Sequence, residues 1–312
     1  MRQELLPLLR CAVCRGAVEP DAWAPEIERG TLHCLSCGET FDVVGGIPRM
    51  LSDRLPGIRE KRREIAGWVE KAKEEDWYEA RDDVDAALPY VCRDLGWDDS
   101  VWAANEYSFS RLLEQNVRSG MRVLEVGAAK AWASQYLVPA GCDYVATDVL
   151  ADDIIGIGRG SFYAARTGHF ERVQADGEHL PFADGSFDLT FCVATLHHAL
   201  DLPKMVSELA RVTRRGGVVA GLNEGTRPLG WSDDAPGQEG EKKLGINEHT
   251  HTVWAYVAAF ARSRLLIREL YPANGRLLGS DSSTGMIGTL WAHTRKGAEL
   301  GYDGISVVAT KL

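Results

Sequence analysis

The chain has 312 residues, 45% of them hydrophobic, which is enough for one large α/β domain with a small second module. Its formal net charge of −10 argues against a nucleic-acid partner, which demands a basic face. No apolar run approaches the ~18 residues of a membrane span, and Met1 to Arg10, broken by Pro7, lacks a secretory layout, so a cytoplasmic protein is expected.

Residues 1–50 read as a zinc ribbon. Two Cys-x-x-Cys pairs, Cys11/Cys14 and Cys34/Cys37, stand nineteen residues apart and offer four soft ligands to one tetrahedral ion. Thr31–Cys34 and Thr40–Val44 are predicted strands, closed by Gly45-Gly46-Ile47-Pro48. The segment holds five Arg, no Lys and seven acids, a net −2 that does not suit a phosphate clamp. Cys92, Cys142 and Cys192 are scattered and read as ordinary packed thiols.

Residues 51–118 read as a helical linker or cap. Two charge-dense runs, Arg59–Glu64 and Glu70–Glu75, predict a solvated helix punctuated by Trp68, Trp77 and Tyr78, and 98–118 predicts another helix. Residues 119–312 alternate strand and helix. Strands are predicted at 121–126, 144–148, 172–176, 187–193, 217–222, 265–271 and 305–311, with helices at 202–214 and 252–264. The pattern predicts a doubly wound, mostly parallel sheet. The stretches 223–248 and 273–304 fit no regular element and read as long loops.

The chemistry concentrates where strands end. Val123-Leu124-Glu125-Val126-Gly127 runs into a short turn, and Asp148 closes the next strand twenty-one residues after Gly127. A tight turn followed by an acid at that distance suits a bound nucleoside. Further on stand Asp176-Gly177-Glu178-His179-Leu180-Pro181-Phe182-Ala183-Asp184-Gly185-Ser186-Phe187-Asp188 and then Ala194-Thr195-Leu196-His197-His198. This run closely resembles the class I S-adenosylmethionine (SAM)-dependent methyltransferases, in particular their small-molecule branch, over about 121–222.

The resemblance implies roles. Gly127 and the turn through Ala129 and Lys130 would face the methionine part of SAM, with Glu125 supporting that loop and the ligand ammonium. Asp148 would hold the ribose, Asp176 and Gly177 would flank adenine, and Val193 and Ala194 would line the site beyond the fourth strand. Asp184 and Asp188 read as turn and strand-start residues. The departure is the turn, where Ala129 and Ala131 replace glycines; Lys130 is either a ligand-side cation or a solvent-facing loop lysine. His197, His198, His249 and His251 are candidate bases or acceptor contacts, since a hydroxyl acceptor must lose a proton. Glu248 with His249 and His251 could also bind a metal, though a third spaced ligand is missing.

The expected activity is methyl transfer to a small-molecule acceptor, such as a sugar or natural-product intermediate, with SAM as cofactor and zinc in the ribbon. Three other readings stand beside it: methylation of rRNA or tRNA, transfer of another SAM group, and a partner protein without catalysis. The last is suggested by the ribbon, which looks like small zinc subunits that activate methyltransferases in trans, so the ribbon could also dock a protein partner.

Overall fold

A computed structural model describes residues 1–230, 239–275, 285–296 and 304–312. The ribbon is an antiparallel sheet of β1 (Val18–Pro20), β2 (Arg29–Cys34), β3 (Thr40–Val44) and β4 (Ile47–Pro48). Its four thiols converge, with Cys11 Sγ 3.7 Å from Cys37 Sγ and Cys14 Sγ 3.4 Å from Cys34 Sγ. Zinc–thiolate bonds of about 2.3 Å set neighbouring sulfurs near 3.8 Å apart in a tetrahedron. The backbone N–H groups of Gly16 and Ser36 already point at Cys14 and Cys34 sulfur, each at 3.4 Å, as they would to support thiolates. The four cysteines thus fit one structural zinc ion.

The cap follows as α1 (Ile58–Glu74), α2 (Asp82–Ala87), α3 (Val91–Leu95) and α4 (Ser100–Asn116). The Asp99 carboxylate starts α4 by accepting from the Val101 and Trp102 N–H groups. The sequence predicts a solvated α1, and this is corrected on one face only: Arg59, Glu60, Arg62 and Arg63 are exposed, but Lys61 and Glu64 are 6% and 2% exposed. Gly67 lets α1 press against the 244–246 backbone, since a Cβ there would meet the Leu244 carbonyl at 2.4 Å.

The α/β domain is built on β5 (Arg122–Val126), β6 (Asp143–Asp148), β7 (Glu171–Gln174), β8 (Phe187–Val193) and β9 (Thr213–Glu224), then the small pair β10 (Thr226–Arg227) and β11 (His251–Thr252), then β12 (Leu265–Pro272) and β13 (Ile305–Lys311). The seven-stranded sheet has the order β12-β13-β9-β8-β5-β6-β7. β9, β8, β5, β6 and β7 pair in parallel, and β13 is antiparallel to both neighbours. Helices α5 (Ser134–Leu137), α6 (Gly160–Thr167), α7 (Leu202–Val212), α8 (Glu239–Lys243), α9 (Val253–Arg262) and α10 (Met286–Lys296) complete the chain.

Alternation along the strands divides the core. On β5, Leu124 and Val126 join α7, α9 and the ribbon, whereas Val123 joins α2 to α6 on the opposite face. The doubly wound expectation therefore holds. The two stretches read as irregular are corrected in part: α8 forms within 223–248, α10 forms within 273–304, and β9 runs on to Glu224. The remainder of those stretches at 231–238, 276–284 and 297–303 lies outside the described residues. Among the described residues no helix is long and apolar enough to cross a membrane.

The ribbon docks on its own chain. Leu9 bridges to Phe182, Arg49 bridges to Gln174 of β7, and Met50 N–H donates to the Gln174 carbonyl at 2.9 Å. Arg15 pairs with the buried Glu208 of α7 at 2.7 Å. Cys14→Ser should reduce bound zinc well below one equivalent, as read by elemental analysis, and lower the melting temperature by on the order of 5 °C. An unchanged melt in zinc-free protein would contradict this structural role.

Candidate active site

Parallel sheets bind ligands outside the carboxyl ends of their strands, where the order reverses. Here that point lies between β5 and β8. The turn after β5 takes left-handed backbone at Gly127 (φ +73°), Ala129 (+45°) and Ala131 (+63°). At Gly127 only glycine fits, because a Cβ would meet Thr195 Cγ2 at 2.3 Å. At the two alanines the Cβ costs roughly 1–2 kcal/mol each. The loop is held in return: Gly127 and Ala128 N–H both donate to the Thr147 carbonyl at 2.9 Å. Ala131 is wholly buried, within the apolar cluster that includes Trp132 and Phe109, and Ala129 is exposed.

Asp148 ties this loop to the next. Its carboxylate accepts from Ala129 N–H and Leu150 N–H, both at 2.8 Å. Burial pushes its pKa up against the pull of those bonds. Asp176 accepts from Glu178 N–H at 3.0 Å and contacts His179 Nδ1 at 2.8 Å. Gly177 packs against Met205 and Val126, which a Cβ would meet at 2.7 and 3.0 Å. Val193 ends β8 half-buried, and Ala194 follows at φ +47° with its N–H on the Leu222 carbonyl. The residues read as flanking SAM thus gather at one edge of the sheet.

Two of them are occupied elsewhere. The Glu125 side chain is buried and accepts from the Tyr144 hydroxyl; burial pushes its pKa to about 8, so it is neutral at pH 7. Lys130 turns to a partner inside the protein. Its Nζ lies 2.8 Å from Asp85 Oδ1, and Arg159 Nε lies 2.8 Å from Asp85 Oδ2. Asp85 is fully buried, and its unpaired charge there would cost several kcal/mol, which draws in both cations.

The histidines meet a second group of side chains. A 3-10 turn, Leu196–His198, follows β8. Glu224, buried at the end of β9, accepts from the N–H groups of Thr195 and Leu196 at 3.0 Å and of His197 at 3.2 Å. It also holds His197 Nδ1 at 2.9 Å. Burial alone would lower the His197 pKa, but this bond, with the charges of Glu224, Glu248 and Glu64, more than offsets it and raises it. His198 donates Nδ1–H to the Asn247 carbonyl at 2.7 Å; burial and the neighbouring His197 lower its pKa well below the usual range. Helix α1 closes over them, with Lys61 Nζ on the His198 carbonyl at 2.9 Å and Trp68 edge-on to the His198 ring. Burial raises Glu64 to about 7.

His249 borders this group through its N–H, 3.2 Å from the His197 carbonyl, and its ring contacts Asn247 Oδ1. His251 sits one step away, stacked on His249 and edge-on to Tyr256. Glu248 lies with His197 and His198 rather than with His249 and His251. Sequence reasoning passed over Glu224, Glu64, Lys61 and Asp85. An acid directly at the end of the fifth strand was a usable signal for Glu224; the others lie in charge runs that carry none.

Residues 124–221 match the family model described as Methyltransferase domain, and residues 2–46 match the one described as Trm112p-like protein. The chain carries a class I methyltransferase domain behind a Trm112p-like zinc ribbon. It is 39% identical over 124 residues to a demethylmenaquinone methyltransferase of Parafrankia sp. (strain EAN1pec), covering 35% of this chain and 48% of that one. It is 32% identical over 102 residues to a malonyl-[acyl-carrier protein] O-methyltransferase of Pectobacterium atrosepticum, covering 33% and 38%. The chain thus spans about half or less of the curated relatives it matches. Among solved structures, geranyl diphosphate C-methyltransferase from Streptomyces coelicolor A3(2) has the same fold, with a TM-score of 0.52 at 15% identity over 71% of this chain and 82% of that one.

Two outcomes follow for the methyltransferase domain. Lys130→Met should leave SAM affinity within about threefold, because Arg159 still pairs with Asp85, whereas Asp85→Ala should cost on the order of 3–5 kcal/mol in urea unfolding. A large affinity loss in Lys130→Met would return that lysine to the ligand. Glu125 has its folded pKa raised from 4.5 to about 8, so its stabilising contribution is full below pH 4.5 and lost as pH rises through about 8. Glu125→Gln, which keeps an acceptor for Tyr144, should therefore gain in melting temperature on the parent as pH rises from about 5 to about 9; a constant offset would argue against a neutral Glu125.

Proposed function

We propose that this protein is a SAM-dependent methyltransferase whose acceptor is a small molecule. The carrying observation is the junction of the Gly127–Ala131 turn with Asp148. The turn keeps its left-handed backbone despite two alanines, and Asp148 binds it to the end of β6 through Ala129. In this reading the turn faces the methionine portion of SAM, Asp148 takes the ribose hydroxyls, and Asp176 and Gly177 border adenine. Val193 and Ala194 line the far wall. The acceptor enters beside His197 and His198, beneath α1, with His249 and His251 further along its path. The acceptor's nucleophilic atom bonds to the methyl carbon as the carbon–sulfur bond breaks and its electron pair passes to sulfur. The protein's task is alignment and exclusion of water.

Several facts support a small acceptor. The similar curated proteins are named for small or carrier-bound acceptors. The chain's net charge of −10 is unsuited to following a phosphate backbone. Helix α1 also closes the histidine side of the site, leaving Glu64 and Lys61 nearly fully buried there. The ribbon is read as a built-in support, because the face of it that carries Leu9, Arg15 and Arg49 is taken up by the chain's own domain.

Titration calorimetry with SAM on zinc-loaded protein should show one site per chain. Asp148→Ala and Gly127→Val should each weaken it by at least about tenfold. A lack of both heat and any rise in melting temperature at saturating SAM would overturn the reading. An acceptor recovered with the mass of one added methyl group identifies the transferred unit.

A further inference from the structure

We propose that the protein holds a second metal site, for one divalent cation, between His197, His198 and Glu248. It rests on the methyltransferase reading for its role but not for its existence. One donor atom from each of the three residues lies within 4.8 Å of the other two. His197 Nε2 is 3.8 Å from Glu248 Oε2, and His198 Nδ1 is 3.7 Å from Glu248 Oε1. Ligand atoms about 2.1 Å from one ion stand roughly 3–3.5 Å apart, so a small contraction closes the set.

The surroundings argue for an ion more strongly than the spacing. The Glu224 carboxylate engages His197 Nδ1 and leaves Nε2, the other ring nitrogen, on the Glu248 side. A carboxylate behind a ligating histidine is the usual support of a metal-bound imidazole. Glu64 Oε1 lies 3.5 Å from His198 Nδ1, on the α1 side of the group. Three buried carboxylates, Glu64, Glu224 and Glu248, lie against the two histidines, and the Lys61 ammonium pairs with Glu64 and with Glu178. A divalent cation balances that charge. Binding through His198 Nδ1 requires its other tautomer and exchanges the Asn247 carbonyl for the ion.

Two imidazoles with carboxylate oxygens suit zinc, manganese, iron(II) or cobalt(II) and differ in kind from the thiolate ribbon. Beside the acceptor, the cation acts as a Lewis acid on a hydroxyl. The hydroxyl proton goes to a neighbouring carboxylate, the oxygen bonds to the methyl carbon, and the carbon–sulfur electron pair leaves with the thioether. The substrate class is therefore an alcohol or phenol.

The probe is Mn2+, which a four-thiolate site disfavours, added to protein whose ribbon already holds zinc. Equilibrium dialysis with paramagnetic detection should give one bound Mn2+ per chain. His198→Gln and Glu248→Gln should each weaken it at least about tenfold while SAM affinity, measured in parallel, changes less than about threefold. No saturable Mn2+ up to about millimolar concentration, or unaltered binding in both folded variants, overturns the site. Protein that binds SAM but not Mn2+ defeats this inference alone; protein that binds Mn2+ but not SAM defeats the methyltransferase reading and leaves the site standing.

Discussion

Buried carboxylates that accept backbone N–H groups hold together the carboxyl edge of this sheet. Loops that leave parallel strands cannot satisfy their N–H groups within the ladder, and buried donors left unpaired are costly. Asp148 takes Ala129 and Leu150, Glu224 takes Thr195, Leu196 and His197, and Glu178 takes Leu200 and Asp201. Each of these acids stands near the end of one strand and binds the loop of another, or a later part of its own. Charge-assisted bonds of this kind are stronger than neutral ones. The edge is thereby stiff before any ligand arrives, and part of the chain's acidity is spent on architecture.

The ribbon solves a different problem at the side of the sheet. β7 is the outermost parallel strand, and an uncovered edge invites pairing with other chains. The backbone after β4 runs alongside it, through the Arg49–Gln174 bridge and the Met50 bond, and Met50 is fully buried. The apolar cluster is continuous from Leu5 and Leu9 in the ribbon to Val206 and Leu209 in α7. A module too small to bury a core of its own borrows one, and zinc fixes the knuckles that present it.

The strands were legible because parallel strands buried on both faces read as apolar runs, and β8 and β13 fall at the predicted limits. Gly127, Asp148 and the cysteines were legible because their spacing along the chain carries the geometry. What stayed hidden depends on partners distant in sequence. Nothing near Lys130 announces Asp85, 45 residues earlier, and nothing in a charge-dense run marks Lys61 and Glu64 as its buried members. Helix α10 was masked by Gly- and Ser-rich flanks, although its His293 faces Thr226 at 2.7 Å, a contact no local pattern encodes.

The turn after β5 shows how such hidden contacts bear on the site. Alanine at Ala129 and Ala131 carries strain that glycine would not, and strain persists only where the surroundings over-determine the conformation. Here they do. Asp148 fixes Ala129 from one side, the Thr147 carbonyl fixes Gly127 and Ala128, and Ala131 is seated in the apolar cluster. Lys130, between the two, is drawn onto Asp85 and so anchors the turn to α2. A loop in which every residue from Gly127 to Ala131 is held, by β6, by α2 or by the apolar cluster, gains little freedom from glycine, so the two alanines cost strain without loosening the cradle.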